Sequence, residues 1–106
     1  MAFRKEPIHV RKSRYTNHNA VIVGSSRDEY AYMTLNHSDH NGHHHNYMLK
    51  KNPDPRYPNE ESYLILRVDE DCKINFGPDR GWVFDSDDSD FIKNFVANNK
   101  KFKQKG

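Results

Sequence analysis

Two adjacent segments with strand character, 19–24 and 29–36, constrain the fold of this chain most strongly. The first contains the β-branched run Val21-Ile22-Val23 and closes with a glycine, which is typical of a buried strand. The second, EYAYMTLN, alternates with the period of two that a half-buried strand shows. The Gly-Ser-Ser-Arg-Asp sequence between them has turn composition, so the pair predicts an antiparallel hairpin.

Shorter extended segments surround this hairpin. Ile8 and Val10 alternate with polar residues and predict a short edge strand near the N-terminus. Further segments with strand character are 46–50, 62–68, 72–76 and 82–84. The nearly continuous apolar run at 62–68 predicts a central strand, and the acidic residues 69–71 predict a turn after it. The histidine-rich residues 37–45 have the polar composition of a loop.

A proline-rich segment separates the two halves of the chain. Pro53, Pro55 and Pro58 exclude both a helix and a central strand there. We therefore expect 50–61 to be a surface loop, and loops of this length often carry function. Tyr47 and Tyr57 are expected to be exposed beside it.

The period changes near the C-terminus, where apolar residues from Phe91 to Val96 recur at helical spacings that Phe102 extends. Acidic residues precede this segment and lysines follow it, which complements a helix dipole. The preceding run DSDDSD is best explained as a helix start. The candidate N-cap residues are Asp85, Ser86 and Asp87. The run lacks the glycine and glutamate that an EF-hand calcium loop requires.

These elements predict a mainly β (β+α) domain. Because no helix lies between the strands, parallel pairing has no crossover and the strands must pair antiparallel. We expect a small antiparallel β-barrel of five or six short strands with a C-terminal α-helix. The expected organisation is a basic N-terminal arm at 1–17, a single β-barrel domain with its helix at 18–99, and a basic tail at 100–106.

Composition limits the function classes. The 106 residues suffice for one domain, and six Phe, six Tyr and one Trp supply apolar surface for one modest core. A lone Cys72 excludes an internal disulfide and a cysteine-rich zinc site. No apolar run approaches the roughly 20 residues of a membrane span, and the N-terminus lacks the apolar region of a secretory signal. We therefore expect a cytoplasmic protein without a membrane partner.

Charge is distributed unevenly, although the net charge is only +2. Residues 1–27 carry six basic side chains and one acidic one, and residues 100–106 carry four lysines. Basic ends favour phosphate backbones through counterion release. Charged ends also keep a small domain soluble, so a nucleic-acid partner and simple solubility both remain open.

The histidine-rich residues 37–45 raise the question of a metal. His37, His40 and His43 have a spacing that divalent metals accept, and Asp39 offers an oxygen. Structural zinc sites usually combine two separated ligand pairs, however, and no cysteine contributes here. A solvated loop is the preferred interpretation, so we predict no metal site and no cofactor.

Metal-free cleavage of RNA is the chemistry that the remaining residues fit. The reaction uses the 2′-hydroxyl of the substrate as nucleophile and needs a base, an acid and a cation for the phosphate. His18 precedes the first strong strand and His37 follows the second, and histidine titrates near neutral pH. The cations near strand ends are Arg14, Arg27 and Arg67.

The strand and loop sequences around these histidines resemble a known family. HNAVIV at 18–23, followed by YMTLNHS at 32–38, is similar to the first two core segments of the MazF/PemK-like toxins. Asn19 stands where that family has proline, and His37-Ser38 replaces its Thr-Ser pair. The chain also resembles short uncharacterised bacterial and mobile-element proteins with a K-x-N-P-x-P loop, here at 50–55.

The toxin resemblance implies an SH3-like barrel, endoribonuclease activity, a homodimer and an antitoxin partner. It carries over to His18, His37 and Ser38 as catalytic residues, with Ser38 orienting the scissile group. Arg14 or Arg67 would neutralise the phosphate, and Arg27 would add to substrate binding. Two other functions remain open: a non-enzymatic protein-binding module of a phage or plasmid, acting on a host machine, and a non-specific nucleic-acid binder.

Overall fold

A computed structural model describes residues 3–100 and shows a mainly β fold with one C-terminal helix. Its centre is a meander of three antiparallel strands: β1 (Arg4–Lys12), β2 (Asn19–Ser25) and β3 (Glu29–Asn36). The hairpin predicted from the sequence is therefore confirmed. The pairing of Ala20 with Thr34 brings the start of β2 and the end of β3 to the same end of the sheet.

Five short strands complete the β-structure. They are β4 (His40–Asn41), β5 (His44–His45), β6 (Tyr47–Met48), β7 (Tyr63–Leu64) and β8 (Asp69–Cys72). The main sheet has six strands in the order β1-β2-β3-β7-β6, and β8 pairs with the first half of β3. Strands β4 and β5 form a separate two-stranded hairpin. An antiparallel sheet with a C-terminal helix was predicted and is confirmed.

The helix α1 (Ser86–Ala97) covers one face of the sheet. Asp85 is its N-cap, and the Asp85 carboxylate accepts a hydrogen bond from the backbone N–H of Asp87 at 2.8 Å. This confirms that the acidic run begins a helix. Ile92 and Val96, one helical turn apart, are buried and pack on the sheet.

The main core lies between α1 and the sheet. It includes Val10, Val21 and Met33 from the three long strands and Leu64 from β7, all fully buried. Each such side chain stabilises the fold by about 1.5–3 kcal/mol through removal from water. The core positions alternate along the strands, which fixes their register, since a slip by one residue would turn every core side chain outward.

A second apolar cluster lies on the opposite face. Ile22 points away from the main core and packs with Tyr32 and Phe76, and the Tyr32 and Phe76 rings are 5.3 Å apart and edge to face. Both faces of β2 are therefore covered. This explains why Val21-Ile22-Val23 is continuously apolar instead of alternating.

The chain after β8 crosses to the outer edge of β1. A single 3-10 turn (Lys73–Asn75) makes the crossing. The backbone N–H of Arg14 then donates to Asn75 at 2.8 Å, that of Gly77 to Lys12 at 2.9 Å, and that of Arg80 to Val10 at 2.8 Å. This end of β1 is thus hydrogen-bonded on both edges.

Two sequence predictions in this half of the chain are wrong. The single strand expected at 62–68 is strand only at Tyr63–Leu64, and the acidic turn expected at 69–71 is strand β8. The chain bends between them, where the backbone N–H of Arg67 donates to Ile65 at 2.8 Å. Both short strands pair with β3: the acidic strand β8 pairs with its first half and the apolar strand β7 with its end.

Other boundaries also differ from the sequence predictions. Residues 37–45 contain the β4–β5 hairpin, with Gly42 at φ 64° in its turn. The strand expected at 72–76 is wrong: Cys72 ends β8, residues 73–75 form the 3-10 turn, and Phe76 makes an isolated bridge with Ser13. Residues 82–84 join no strand. Strand composition alone did not locate these elements, because pairing partners and not local preference decide where short strands form.

The structure describes most of the predicted basic arm but only one residue of the predicted basic tail. Strand β1 lies within 1–17 and pairs with β2, so much of the basic N-terminal segment is part of the sheet. The predicted edge strand around Ile8 and Val10 is contained in β1. Of the basic tail, only Lys100 is described; residues 101–106, including the expected helical position Phe102, lie outside the described residues.

Candidate functional site

An open cleft of about 170 Å³ lies at the end of the sheet where β2 begins and β3 ends. The sheet and its turns contribute Lys12, Asn17, His18, Asn19, Leu35, Asn36 and His37. The facing wall is formed by Asn52, Asp54, Ser62 and Trp82. The lining is thus mostly polar and includes two of the histidines that sequence analysis singled out.

A tight turn between β1 and β2 holds His18 at the cleft. Ser13, fully buried, accepts a hydrogen bond from the backbone N–H of Asn17 and donates its own to His18, both at 2.9 Å. The backbone N–H of His18 donates to the Thr16 hydroxyl at 3.1 Å. Asn17 has a φ of 61°, a left-handed conformation that asparagine tolerates better than most residues.

His37 reaches the same cleft from the end of β3. The adjacent Asn36 still pairs with Tyr63, and its side-chain oxygen accepts a hydrogen bond from the backbone N–H of Ser38 at 2.9 Å. That bond turns the chain out of the sheet immediately after His37. The His37 Nδ1 lies 3.5 Å from the carbonyl oxygen of Glu61 in the facing loop. Since β2 and β3 are antiparallel, the residue before one strand and the residue after the other meet at one edge.

The facing wall is built from the proline-rich loop. Asn52 donates its side-chain N–H to the Tyr57 carbonyl at 2.8 Å and accepts from the backbone N–H of Asp54 at 3.2 Å. Asp54 is bidentate with the Arg56 guanidinium, at 3.1 and 2.9 Å. The hydrogen bonds from Arg56 hold the pKa of Asp54 below its usual 3.8. The loop is therefore ordered by its own side chains.

Helix α1 anchors this loop through Asp88, which is fully buried. The Asp88 carboxylate accepts hydrogen bonds from the backbone N–H of Lys50 at 3.0 Å, the backbone N–H of Lys51 at 3.3 Å and the Tyr47 hydroxyl at 3.3 Å. The Lys50 ammonium also pairs with Asp87. The first turn of the helix is thus tied to the first residues of the loop.

Tyr47 is part of the same anchor and is not the exposed side chain that its sequence position suggested. Its ring stacks on Phe91 with 3.7 Å between the ring centroids. Burial and, after it, the neighbouring Asp88 carboxylate raise the pKa of Tyr47 above its usual 10.0. Tyr57, by contrast, is 49% exposed, as expected.

The charges around the cleft favour an anion. Lys12 is on its lining, and the Arg80 guanidinium lies over the Trp82 ring at 5.1 Å from the centroid. The one lining carboxylate, Asp54, is paired with Arg56. Two imidazoles, an ammonium and an aromatic ring therefore line one cleft, which is a set that can transfer protons beside a bound phosphate.

The other predicted site residues do not line this cleft. Ser38 is exposed, and its hydroxyl donates to the His40 carbonyl at 3.0 Å. Arg27 lies in the β2–β3 turn at the opposite end of the hairpin. Arg14 follows β1 beside the 3-10 turn, and Arg67 pairs with Asp69 at 2.9 Å. The lining cation is Lys12, which the sequence analysis did not select.

Several lining residues escaped the sequence analysis although a signal for them existed. Each histidine is directly preceded by an asparagine, in Asn17-His18 and Asn36-His37. The two dipeptides flank the predicted hairpin at positions that antiparallel pairing must bring together. Trp82 and Asn52 had no comparable signal, because they reach the cleft through loops whose path the sequence does not reveal.

The histidine-rich segment forms the β4–β5 hairpin and is separate from the cleft lining, except for His37. His40 faces His45 across this hairpin with 4.3 Å between ring centroids. A hydrogen bond from His40 lowers the pKa of Asp39 below 3.8. Within residues 3–100, no three His, Cys, Asp or Glu side chains converge in a way that would hold a metal ion.

Comparison with protein-family models, curated proteins and solved structures gives no match for this chain. Among the described helical residues, none form a segment long and apolar enough to cross a bilayer. Its function is therefore to be inferred from the chemistry of the cleft.

Proposed function

We propose that this protein binds RNA in the cleft and cleaves it as a metal-free endoribonuclease. One observation carries the proposal: His18, His37 and Lys12 line the same cleft, although they come from three different segments, at the start of β2, after the end of β3 and at the end of β1. A pair of imidazoles beside a cation is what cleavage by the substrate's own 2′-hydroxyl requires.

The reaction divides between the two histidines. One neutral imidazole removes the proton from the 2′-hydroxyl, and the oxygen attacks the adjacent phosphorus. The bond from phosphorus to the 5′-oxygen breaks as the other histidine, in its protonated form, gives that oxygen a proton. The products are a 2′,3′-cyclic phosphate and a 5′-hydroxyl, and each histidine ends in the protonation state from which the other began.

Lys12 and Trp82 complete the proposed site. The Lys12 ammonium stabilises the charge that develops on the phosphate oxygens. The Trp82 ring, with Arg80 over one face at 5.1 Å from the centroid, presents its cleft-lining side to a base. Lys12 takes the role that sequence analysis assigned to Arg14 or Arg67, since it is the cation of the cleft lining.

We also infer that the sheet is a small SH3-like barrel. This is supported by the hydrogen bonds that join residues 75–80 to the outer edge of β1, together with the antiparallel bridge between Ser13 and Phe76. Such bonds extend pairing from β8, through the 3-10 turn, to the strand at the other side of the sheet. A cytoplasmic toxin acting as a homodimer, with an antitoxin as protein partner, is the proposed setting, and it rests on the sequence resemblance to the MazF/PemK-like family.

The test is cleavage of single-stranded RNA by purified protein in the presence of EDTA. We expect fragments ending in a 2′,3′-cyclic phosphate, a bell-shaped dependence of rate on pH, and no cleavage where the scissile nucleotide is 2′-deoxy. His18→Ala and His37→Ala should each lower the rate by roughly 10²–10⁴-fold.

The matched control is His43→Ala, which removes an exposed histidine from the β4–β5 turn, away from the cleft lining. It should cleave like the wild type. Activity that disappears with EDTA would refute the metal-free mechanism. Binding of RNA without any cleavage would leave only a nucleic-acid binder, and no binding at all would favour the protein-binding function.

A further inference from the structure

The side chain of Asn19 has an unused hydrogen-bond acceptor beside the cleft. Its Oδ1 is buried and has no hydrogen-bond partner among residues 3–100. Asn19 itself lines the cleft next to His18. Buried polar atoms in native proteins are nearly always partnered, so an unpartnered one at a binding site points to a ligand that supplies the missing donor.

The other asparagines of the cleft are differently occupied. Asn52 uses both ends of its carboxamide within the proline-rich loop, donating to Tyr57 and accepting from Asp54. The oxygen of Asn36 accepts from the backbone N–H of Ser38. Asn17 is exposed at the turn. Asn19 is therefore the cleft carboxamide whose recessed oxygen is unpaired.

We propose that Asn19 determines base specificity by accepting a hydrogen bond from the exocyclic amine of adenine or cytosine. The inference rests on the proposed function, because it takes the occupant of the cleft to be RNA. An exocyclic group projects beyond the ring and reaches a recessed acceptor, and rotation about the soft χ2 torsion of asparagine brings Oδ1 toward it.

The same position rejects the other two bases. Guanine and uracil carry a carbonyl oxygen where adenine and cytosine carry the amine. Docked in the same way, that oxygen faces the Asn19 oxygen, so two acceptors meet with no proton between them. A site that hydrogen-bonds one group discriminates strongly against an analogue that leaves its buried polar atom unpaired.

The test measures binding without cleavage. Trp82 is the only tryptophan of the chain and lines the cleft, so its fluorescence reports occupancy directly. The probes are 2′-O-methyl trinucleotides, which lack the nucleophile, with adenine, inosine, cytosine or uracil at the central position. We expect adenine to bind at least tenfold more tightly than inosine, and cytosine more tightly than uracil. The affinity of the adenine probe relative to that of the cytosine probe shows which amine-bearing base is preferred.

Variants at Asn19 connect the preference to this residue. Asn19→Leu should abolish the base preference. Asn19→Asp, which keeps an acceptor and nearly the same shape, should retain it, and this retention would show that substitution at the position does not by itself remove the preference. Asn94→Leu is the matched control, since it makes the same substitution at an exposed position of helix α1, away from the cleft lining, and should leave the preference intact.

The outcomes separate this inference from the ribonuclease proposal. Equal affinities for all four probes, a preference that survives Asn19→Leu, or no binding by the wild type would overturn it. An Asn19-dependent preference without cleavage of the corresponding 2′-hydroxyl RNA would support the base site and refute only the ribonuclease. Cleavage without any base preference would support the ribonuclease and refute only the role of Asn19.

Discussion

Replacing Asp88 tests whether the cleft depends on the anchor between helix and loop. Asp88 is fully buried, yet it accepts three hydrogen bonds, two of them from backbone N–H groups of the proline-rich loop. Hydrogen bonds to a charged acceptor contribute about 1.5–3 kcal/mol each when net solvation is counted. The two bonds at 3.3 Å belong at or below the lower end of that range.

Asp88→Asn keeps one oxygen and turns an amide toward a backbone N–H. Oδ1 of the aspartate serves Tyr47 and Lys50, and Oδ2 serves Lys51, so the variant loses one acceptor and places two donors against each other. We expect a loss of about 1–2 kcal/mol in the free energy of unfolding, and about 3–5 kcal/mol for Asp88→Ala, which removes both acceptor oxygens and all three hydrogen bonds. The smaller loss corresponds to a fall of roughly 4–16 °C in Tm for a domain of this size.

The assay is urea denaturation of wild type, Asp88→Asn and Asp90→Asn. Asp90 is exposed on the same helix, so Asp90→Asn removes the same charge without touching the anchor. Because the loop carries Asn52 and Asp54 to the cleft, Asp88→Asn should also shift the emission of Trp82, while Asp90→Asn should not. Unfolding free energies of the two variants that agree within about 0.5 kcal/mol would refute the anchor, since surface substitutions already differ by that much.

Two further predictions concern the Asp54–Arg56 pair in the cleft wall and the hydrogen bonds between residues 75–80 and β1. The lowered pKa of Asp54 means that its pairing with Arg56 stabilises the protein above the unfolded value near 3.8 and is lost as the pH falls through the lower folded value. The unfolding midpoint of wild type should therefore drop more between pH 6 and pH 3 than that of Asp54→Asn, and parallel curves would count against the pairing. Because the backbone N–H groups of Gly77 and Arg80 donate to β1, their amides should exchange with solvent as slowly as those of β2, and rapid exchange would argue against the barrel.

The long strands and the helix were predictable because local pattern and tertiary packing agree there. The hairpin at 19–36 has strong strand residues on both sides of a turn, and its observed bounds, Asn19–Ser25 and Glu29–Asn36, match the prediction to within one residue. The acidic helix start was equally clear, since a cap and the helix dipole both favour Asp85 and the acids that follow it.

The short strands were not predictable from local sequence because they form only by pairing with an adjacent strand. Asp69-Glu70-Asp71 has turn composition, but it lies along the unpaired edge of β3 and gains backbone hydrogen bonds there. Its acidic side chains suit an edge position, where charge opposes further strand pairing. Leu66 and Arg67, within the expected central strand, are exposed because the chain bends out of the sheet after Ile65.

In the candidate site too, the residues that the hairpin positions were predictable from the sequence, whereas those that the loops position were not. Antiparallel pairing of β2 with β3 alone brings His18 and His37 to one edge, so their juxtaposition follows from the strand assignments. The identity of the cation does not follow from the strand assignments. Arg14 is two residues beyond Lys12, but of these two only Lys12 lines the cleft, because β1 has already ended before Ser13. The facing wall depends further on Asp88, some thirty residues beyond the loop it holds. Asp88 thereby shapes a site to which it contributes no side chain. Variants of Asp88 and of His18 are therefore needed together, because the first change the stability of the cleft and the second change its chemistry.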